Sequence, residues 1–497
     1  MNRRAARTFL VLAAVAALAI IVRAAWLCDD SYITIRTVDN FVAGYGLRWN
    51  VDERVQAFTH PLWLWTLVPG YWLSGSARIT LLGTSFLAAA CALALVVRTG
   101  WQRPGITAAV LLALAGSKSF VEYSTSGLEE PLLFCLLAAM HVVTLRKAPS
   151  YAGTIFVAGL IFLTRMDAVL LVVPFAAVTA LGERRRFAPA AWVATLPVVA
   201  WLAFATFYYG VPFPNTAYAK LGHGVPRLDL IAQGGRYVAD FFVMDPVGSA
   251  LVLCGLAFAT VRRQWAISAG ILLWTAYVVW IGGDFMSGRM LAPAVWMAAI
   301  LIVRYTPDVP EQIAILVGVA IASLALLSPS PAIYGRPVRS TDGRTAWRVT
   351  DERQFYYPTT GLLLHGATET AFDHPWPRRV LAARDRGERV LPFKWVGFAG
   401  YFAGPTVHLI DEYGLTDPLL ARLPALPDWA PGHFLRQVPD GYVETIATGR
   451  NRIANQEIGR YYERLELVTR GPLFGPGRLQ SILVLNVWHP RVSPTIR

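Results

Sequence analysis

Long apolar stretches separated by short polar joints dominate the first two thirds of the chain. After Arg3, Arg4 and Arg7 comes a run of about 20 apolar residues, long enough to span a bilayer and long for a signal-peptide core. Arg23-Ala24-Ala25 is a poor cleavage site, so this segment is expected to remain as a first helix that starts in the cytoplasm. Further runs at 60–97, 104–120, 128–145, 151–163, 167–181, 188–208, 247–261, 265–281, 288–304 and 311–328 bring the expected number of membrane spans to about eleven. The basic clusters Arg98/Arg103, Arg146/Lys147, Arg184 to Arg186, Arg262/Arg263 and Arg304 then all fall on one side, which the positive-inside rule makes cytoplasmic.

That parity constrains two irregular stretches. Residues 60–97 have room for two short helices, but only an odd number of crossings keeps Arg98 and Arg103 cytoplasmic, so 60–74 is expected to be interfacial or re-entrant. The runs 151–163 and 167–181 are short, with Arg165 and Asp167 between them. They predict a broken pair near the outer face, buried in protein or lining a cavity. At Pro329 and Pro331 the pattern changes to ordinary polarity with dispersed charges and short apolar runs such as 479–487. The chain is therefore expected to divide into a transmembrane catalytic domain, 1–328, and an extracytoplasmic soluble α+β domain, 329–497.

Composition sharpens this picture. Of the 497 residues, 55% are hydrophobic and only 15% charged, against a charged fraction of about 25% in soluble domains. The net charge of +13 does not point to nucleic acid, because the arginines sit largely at the ends of apolar runs, as topology signals do. Cys28, Cys91, Cys135 and Cys254 lie in or beside apolar runs, which excludes a disulfide framework and a zinc-ligand spacing.

The outward-facing segments hold nearly all the charges at membrane level. They are Asp29 and Asp30, Glu53 and His60, Glu129 and Glu130, Arg165 and Asp167, Asn215 and Lys220, and Asp284 with Arg289. Charges at membrane depth are expensive, so their concentration predicts a functional polar cavity. Two carboxylates at the mouth of a helix suit a general base with a neighbouring acid, or a pair of metal ligands. Lys220 is one of four lysines; with Arg289 it flanks loops rich in Gly, Asn and aromatics, as an anionic phosphate leaving group demands. Plainer readings stand beside these: a helix-start acid for Glu129 and Glu130, mutual neutralisation for Arg165 with Asp167, and an ion pair for Asp284 with Arg289. In the tail, Asp411, Glu412, Asp417 and His433 are candidates for acceptor contacts, with turns and caps as the alternative.

Several strings run in order through most of the chain: DDSYITIRTVDNFVAGYGLRWNVDERVQAFTHPLW at 29–63, STSGLEEPL at 124–132, LTRMD at 163–167, PFPNTAYAK at 212–220, GGDFMSGRMLAP at 282–293 and DEYGLTDPLLA at 411–421. On these strings the chain resembles the GT-C class of polytopic glycosyltransferases that take a sugar from a polyprenyl phosphate. Within that class it resembles bacterial arabinofuranosyltransferases, including the terminal β-(1→2)-arabinofuranosyltransferases. The resemblance implies that Asp29 is the catalytic base and that Asp30 shapes the site. Glu53, His60, Glu129, Arg165, Asp167, Asn215, Tyr218, Lys220, Asp284, Arg289, Asp411, Glu412 and His433 are then the expected substrate-binding residues. The expected partners are a polyprenyl-phosphate-linked sugar, a glycan or glycoprotein acceptor and membrane lipid, in a bacterial cytoplasmic membrane with the active site facing outward. No cofactor is expected; Asp29 and Asp30 have the donors for a divalent cation, which the basic residues make unnecessary.

Three other readings remain open on the sequence: a GT-C transferase with another polyprenyl-phosphate sugar, a non-enzymatic membrane protein of the same fold, and a secondary transporter, against which the large outer domain stands. The topology makes a direct prediction. Alkaline phosphatase fused after Pro331 is expected to be active in cells and the same enzyme fused after Arg103 inactive; the opposite pattern would invert the orientation.

Overall fold

The computed structural model describes residues 3–144, 151–182, 187–221, 224–334, 347–427, 429–488 and 492. Of the basic clusters, Arg146/Lys147 and Arg184 to Arg186 lie outside the described residues. Among the described residues the chain is mostly helical, with one two-stranded sheet. It divides into two compact units, each made of three segments. The first comprises 1–28, 78–198 and 227–368, and the second 29–77, 199–226 and 369–497. This grouping differs from a single division at 328/329. The loop after the first helix and the PFPNTAYAK segment group with the tail, to which they are hydrogen-bonded: Asn50 to Leu409 and Asn215 to Gly414.

Among the described residues, two helices suffice by length and composition to cross a membrane, Arg3–Ala24 and Ala77–Thr99. The pair Arg227–Met244 and Pro246–Val261, bent by 106°, makes a third if it is one span. Shorter apolar helices occupy Pro104–Gly116, Glu130–Thr144, Tyr151–Thr164, Trp192–Tyr208, Trp265–Trp280 and Glu311–Leu327. The apolar runs read from the sequence are therefore helical where described, but many fall short of a full span. A 14-residue helix is about 21 Å long, against a hydrocarbon core of about 30 Å. Leu12, Val15, Leu87, Leu253, Leu272 and Leu316 are exposed, the kind of apolar surface that lipid covers.

Two helices of the first unit, Pro104–Gly116 and Ala292–Tyr305, are apolar on every side and buried along nearly their whole length, as expected of a helix enclosed by others. Small residues let their neighbours come close. Gly318, on the helix Glu311–Ser323, packs so tightly on Pro104–Gly116 that a Cβ there would lie 2.4 Å from Ala109 Cα. The expected break near Arg165 is present: the helix Tyr151–Thr164 ends, Arg165 is extended, and a 3₁₀ turn over Met166–Leu171 precedes the helix Val173–Gly182. The stretch 60–97 likewise splits, at the left-handed Gly75, into Pro61–Ser74 and Ala77–Thr99.

The second unit is built on a small βαβ element. Strands Val390–Phe393 and His408–Asp411 pair in parallel, with Val390 opposite His408 and Phe393 opposite Asp411. A parallel pair needs a crossover connection, and here it carries the helix Val396–Ala403. Ile33 and Trp49 from the first loop pack with Val396, Ala399 and Leu409 in one apolar core. The remainder of the tail is helical, including the apolar run 479–487, which lies in the helix Arg478–Leu483 and the π-turn that follows. These are the only strands among the described residues, so the β content of the tail is smaller than an α+β reading implies.

Gly318→Leu is expected to lower stability by about 1–3 kcal/mol through overpacking, measurable as a fall in Tm in detergent. An unchanged Tm would contradict the close approach of these two helices.

Candidate active site

Asp29 begins the helix Asp29–Val42, outside the first membrane helix, and is 5% exposed. Its two carboxylate oxygens each accept a backbone N–H from the start of the helix Val396–Ala403: Oδ2 from Gly397 at 3.0 Å and Oδ1 from Phe398 at 2.6 Å. These are orphan amides of a helix N-terminus, which favours an anion. Burial nevertheless pushes the carboxyl up from 3.8 to about 7; the Phe398 and Gly397 amides oppose this, and the charges of Asp30 and Asp411 add to it. Asp30 is half-buried beside it.

Asp29 thus lies where the βαβ element turns from its first strand into its helix. Asp411 ends the second strand at the same edge, the carboxyl edge at which open α/β sheets place ligands. Asp411 is fully buried, accepts the amides of Tyr413 and Thr416 at 2.9 Å each, and is pushed up by burial to about 7. Asn215 holds the loop that follows, its Nδ2 lying 2.8, 3.2 and 2.9 Å from the carbonyl oxygens of Gly414, Leu415 and Asp417. Asp417 caps the next turn through the amides of Leu419 and Leu420 and accepts the Tyr442 hydroxyl at 3.0 Å. Burial, then the charge of Glu53, pushes it up to about 6.

The other candidates of this unit have separate surroundings. Glu53 is buried in a polar network: Asn50 donates to it at 3.0 Å, Arg470 lies 3.5 Å away, and His408 is 3.8 Å distant. His60 shares a 2.7 Å hydrogen bond with Thr34 and caps the helix Pro61–Ser74 by position. Tyr218 lies under the Arg422 guanidinium at 4.7 Å, and His433 packs on the Tyr413 ring. Glu412 is 3.9 Å from Lys394. Lys220, half-buried near the end of the helix Asn215–Leu221, has no ion pair or hydrogen bond among the described residues.

The first unit gathers the remaining candidates into one cluster. Arg165 meets Glu130 at 2.9 Å, Asp167 at 3.1 Å and Glu129 at 3.4 Å; Arg289 meets Glu130 at 2.8 Å, Glu129 at 3.3 Å and Asp284 at 3.6 Å. Four carboxylates therefore surround two guanidinium groups. The pairings Arg165 with Asp167 and Arg289 with Asp284, weighed on sequence as ion pairs, are both present. The second oxygen of Glu130 is buried without a hydrogen-bond partner among the described residues.

Sequence reasoning missed a second buried network in this unit. Lys118 pairs with Glu122 and, at 3.0 Å, with Asp351, while Arg353 lies 3.6 Å from Glu122. The available signal was a lysine four residues before a glutamate inside an apolar stretch. It also missed Asn50, Asp52, His408 and Arg470. Asn50 binds the strand backbone at Leu409, and Asp52 bonds His408 at 2.9 Å and Arg470 at 2.9 Å. Burial opposes the ionised form of Asp52, but His408 and Arg470 hold its carboxyl below the usual range. Among the described residues no three His, Cys, Asp or Glu side chains are grouped to hold a metal ion.

In fold the chain is similar to the crystal structure of ArnT from Cupriavidus metallidurans in the apo state, a GT-C fold, which matches 89% of this chain and 91% of its own, with TM-score 0.50 and 14% identity. In sequence the chain resembles the terminal β-(1→2)-arabinofuranosyltransferase of Mycobacterium tuberculosis, 28% identical over 518 residues that cover 84% of this chain and 81% of that protein. It also resembles the protein of the same name from Corynebacterium glutamicum, 30% identical over 329 residues, covering 54% of this chain and 46% of that one. No family model matches. The resemblance expected from the sequence strings is thus borne out, and the apolar helices and relatives agree with a bacterial membrane protein.

Arg289→Ala would leave Glu129 and Glu130 buried with one guanidinium between them. It is expected to destabilise the protein by about 3–5 kcal/mol, read as a lowered Tm in detergent. An unchanged Tm would show that the cluster contributes nothing to the fold.

Proposed function

We propose that this protein is an inverting glycosyltransferase that moves arabinofuranose from a polyprenyl-phosphate donor to a hydroxyl of a cell-surface glycan or protein, at the outer face of the bacterial cytoplasmic membrane. The observation that carries this reading is the resemblance to a terminal β-(1→2)-arabinofuranosyltransferase over 84% of the chain.

In this reading the acceptor oxygen forms its bond to the anomeric carbon as Asp29 takes the hydroxyl proton. The bond from that carbon to the phosphate oxygen breaks on the opposite face, and its electron pair leaves with the phosphate. A phosphate ester leaves as an anion, so no general acid is needed and one carboxylate suffices. A base whose pKa is about 7 is matched to proton transfer at neutral pH. Lys220 meets the phosphate, supported by its having no ion pair or hydrogen bond among the described residues. Asn215 and Tyr218 order the segment that presents Lys220, and Asp411, Glu412 and His433 line the acceptor side. Glu129, Glu130, Arg165, Asp167, Asp284 and Arg289 form a substrate-binding cluster in which Glu130 offers its unpartnered oxygen to a hydroxyl. Glu53 and His60 hold the first loop, and Asp30 shapes the surroundings of Asp29. The prenyl chain lies among apolar helices.

The raised pKa of Asp29 has opposite consequences for folding and for the reaction. The protonated form is favoured in the folded state, so this group's contribution to stability is complete below its ordinary value of 3.8 and is lost as pH rises through about 7. The base is ionised, and so competent, only as pH rises through about 7 and above it.

The test is transfer from synthetic polyprenyl-phospho-arabinofuranose to a panel of glycan and peptide acceptors by purified wild type, Asp29→Asn and Asp29→Glu. Both variants are expected to lose activity by about 10²- to 10⁴-fold while keeping a folded Tm. A folded Asp29→Asn protein with wild-type turnover would remove Asp29 from the chemistry. Turnover of a hexose donor alone would change the sugar, and no turnover of any donor would favour a non-enzymatic protein of this fold.

A further inference from the structure

Backbone amides carry no side-chain signature, yet two of them make the closest described contacts to the Asp29 carboxylate. Gly397 and Phe398 form a fork, one N–H on each carboxylate oxygen, at 3.0 and 2.6 Å. Two bonds to two oxygens fix the plane of the carboxylate as well as its place. Each oxygen keeps a further lone pair for a proton.

The fork depends on position 397 having no side chain. A Cβ built there would lie 1.8 Å from the carbonyl oxygen of Asp29 and 2.7 Å from its Cγ. The helix that carries the fork is itself anchored. Val396, Phe398, Ala399 and Ala403 are buried, and the Phe398 ring lies 4.7 Å edge-on to Tyr32, one turn along from Asp29, and 5.6 Å from His374. On its next turn Gly400 lies against Trp49 and Arg36, with 2.7 Å to the Trp49 ring from a Cβ built there. The helix cannot retreat to admit a larger residue at 397 without breaking these contacts.

We propose that Gly397 and Phe398 are positioning residues for the transfer reaction, their backbone amides holding the reactive carboxylate of Asp29 in the orientation that receives the acceptor proton. This rests on the reading of Asp29 as the base. It gives the tail segment a direct part in the chemistry, beyond acceptor choice. The amides also favour the ionised carboxylate, because a hydrogen bond to the charged form lowers a pKa; removing one makes the base titrate at higher pH.

Phe398→Pro removes the N–H, at a first-turn position where proline is tolerated, together with the ring. Phe398→Ala removes the ring alone. The acid limb of the kcat/KM profile is expected to move up by about one pH unit in Phe398→Pro and to stay in place in Phe398→Ala. Gly397→Ala, which displaces the carboxylate, is expected to lower kcat about tenfold or more with the donor KM within about twofold, and serves where the proline variant does not fold. A purely structural role would lower Tm and leave the acid limb in place. If Phe398→Pro and Phe398→Ala share the wild-type limb, or Gly397→Ala keeps wild-type kcat, the positioning role is overturned. Those outcomes with an inactive Asp29→Asn remove only this inference; an active Asp29→Asn removes the base assignment itself.

Discussion

A buried carboxylate on the N-terminus of a short helix is the interaction on which the second unit turns. Asp29 and the amides that hold it are separated by 368 and 369 positions in the chain. For them to meet, the loop after the first helix must fold with the tail, and the βαβ element must form so that its helix starts at the correct edge. Asn50 on the backbone of Leu409 and Asn215 on the loop from Gly414 to Asp417 perform the same joining elsewhere in the unit. Asn50 satisfies main-chain groups at the edge of the two-stranded sheet, and Asn215 those of the loop that follows it.

Two sets of buried carboxylates are held differently, although Glu53 of the second unit is also paired, with Arg470. In the first, guanidinium groups and carboxylates neutralise one another, in the cluster of Arg165 and Arg289 and in that of Lys118 and Arg353. Such pairs are weak evidence for stability but are severe to break. In the second, Asp29, Asp411 and Asp417 are held chiefly by neutral donors, without an ion-pair partner in hydrogen-bonding contact among the described residues. Burial then dominates, and all three are pushed toward neutrality. A carboxylate satisfied by amides keeps basicity that one paired with arginine would lose, which is the property a general base needs.

Much of the fold was legible because periodicity and length report directly on helices. The first helix, the break at Arg165 and the split of 60–97 at Gly75 are where the apolar runs and breakers put them. The division into units was not legible, because segments of each unit alternate along the chain and no composition shift marks their return. Among the candidate residues, the pairings of Arg165 with Asp167 and of Arg289 with Asp284 could be read from contiguous strings. The fork at Gly397 and Phe398 could not, since its donors are backbone groups in an apolar segment. The network of Lys118, Glu122, Asp351 and Arg353 was obscured because its halves lie far apart in sequence.

The measurement that bears most directly on this account is the pH dependence of kcat/KM for the wild-type enzyme with the arabinofuranose donor. A single buried base predicts a rate that falls about tenfold per pH unit below a midpoint near 7, with the protein folded throughout. A rate that stays level down to pH 5 would contradict it, because a carboxylate buried as Asp29 is would by then be protonated.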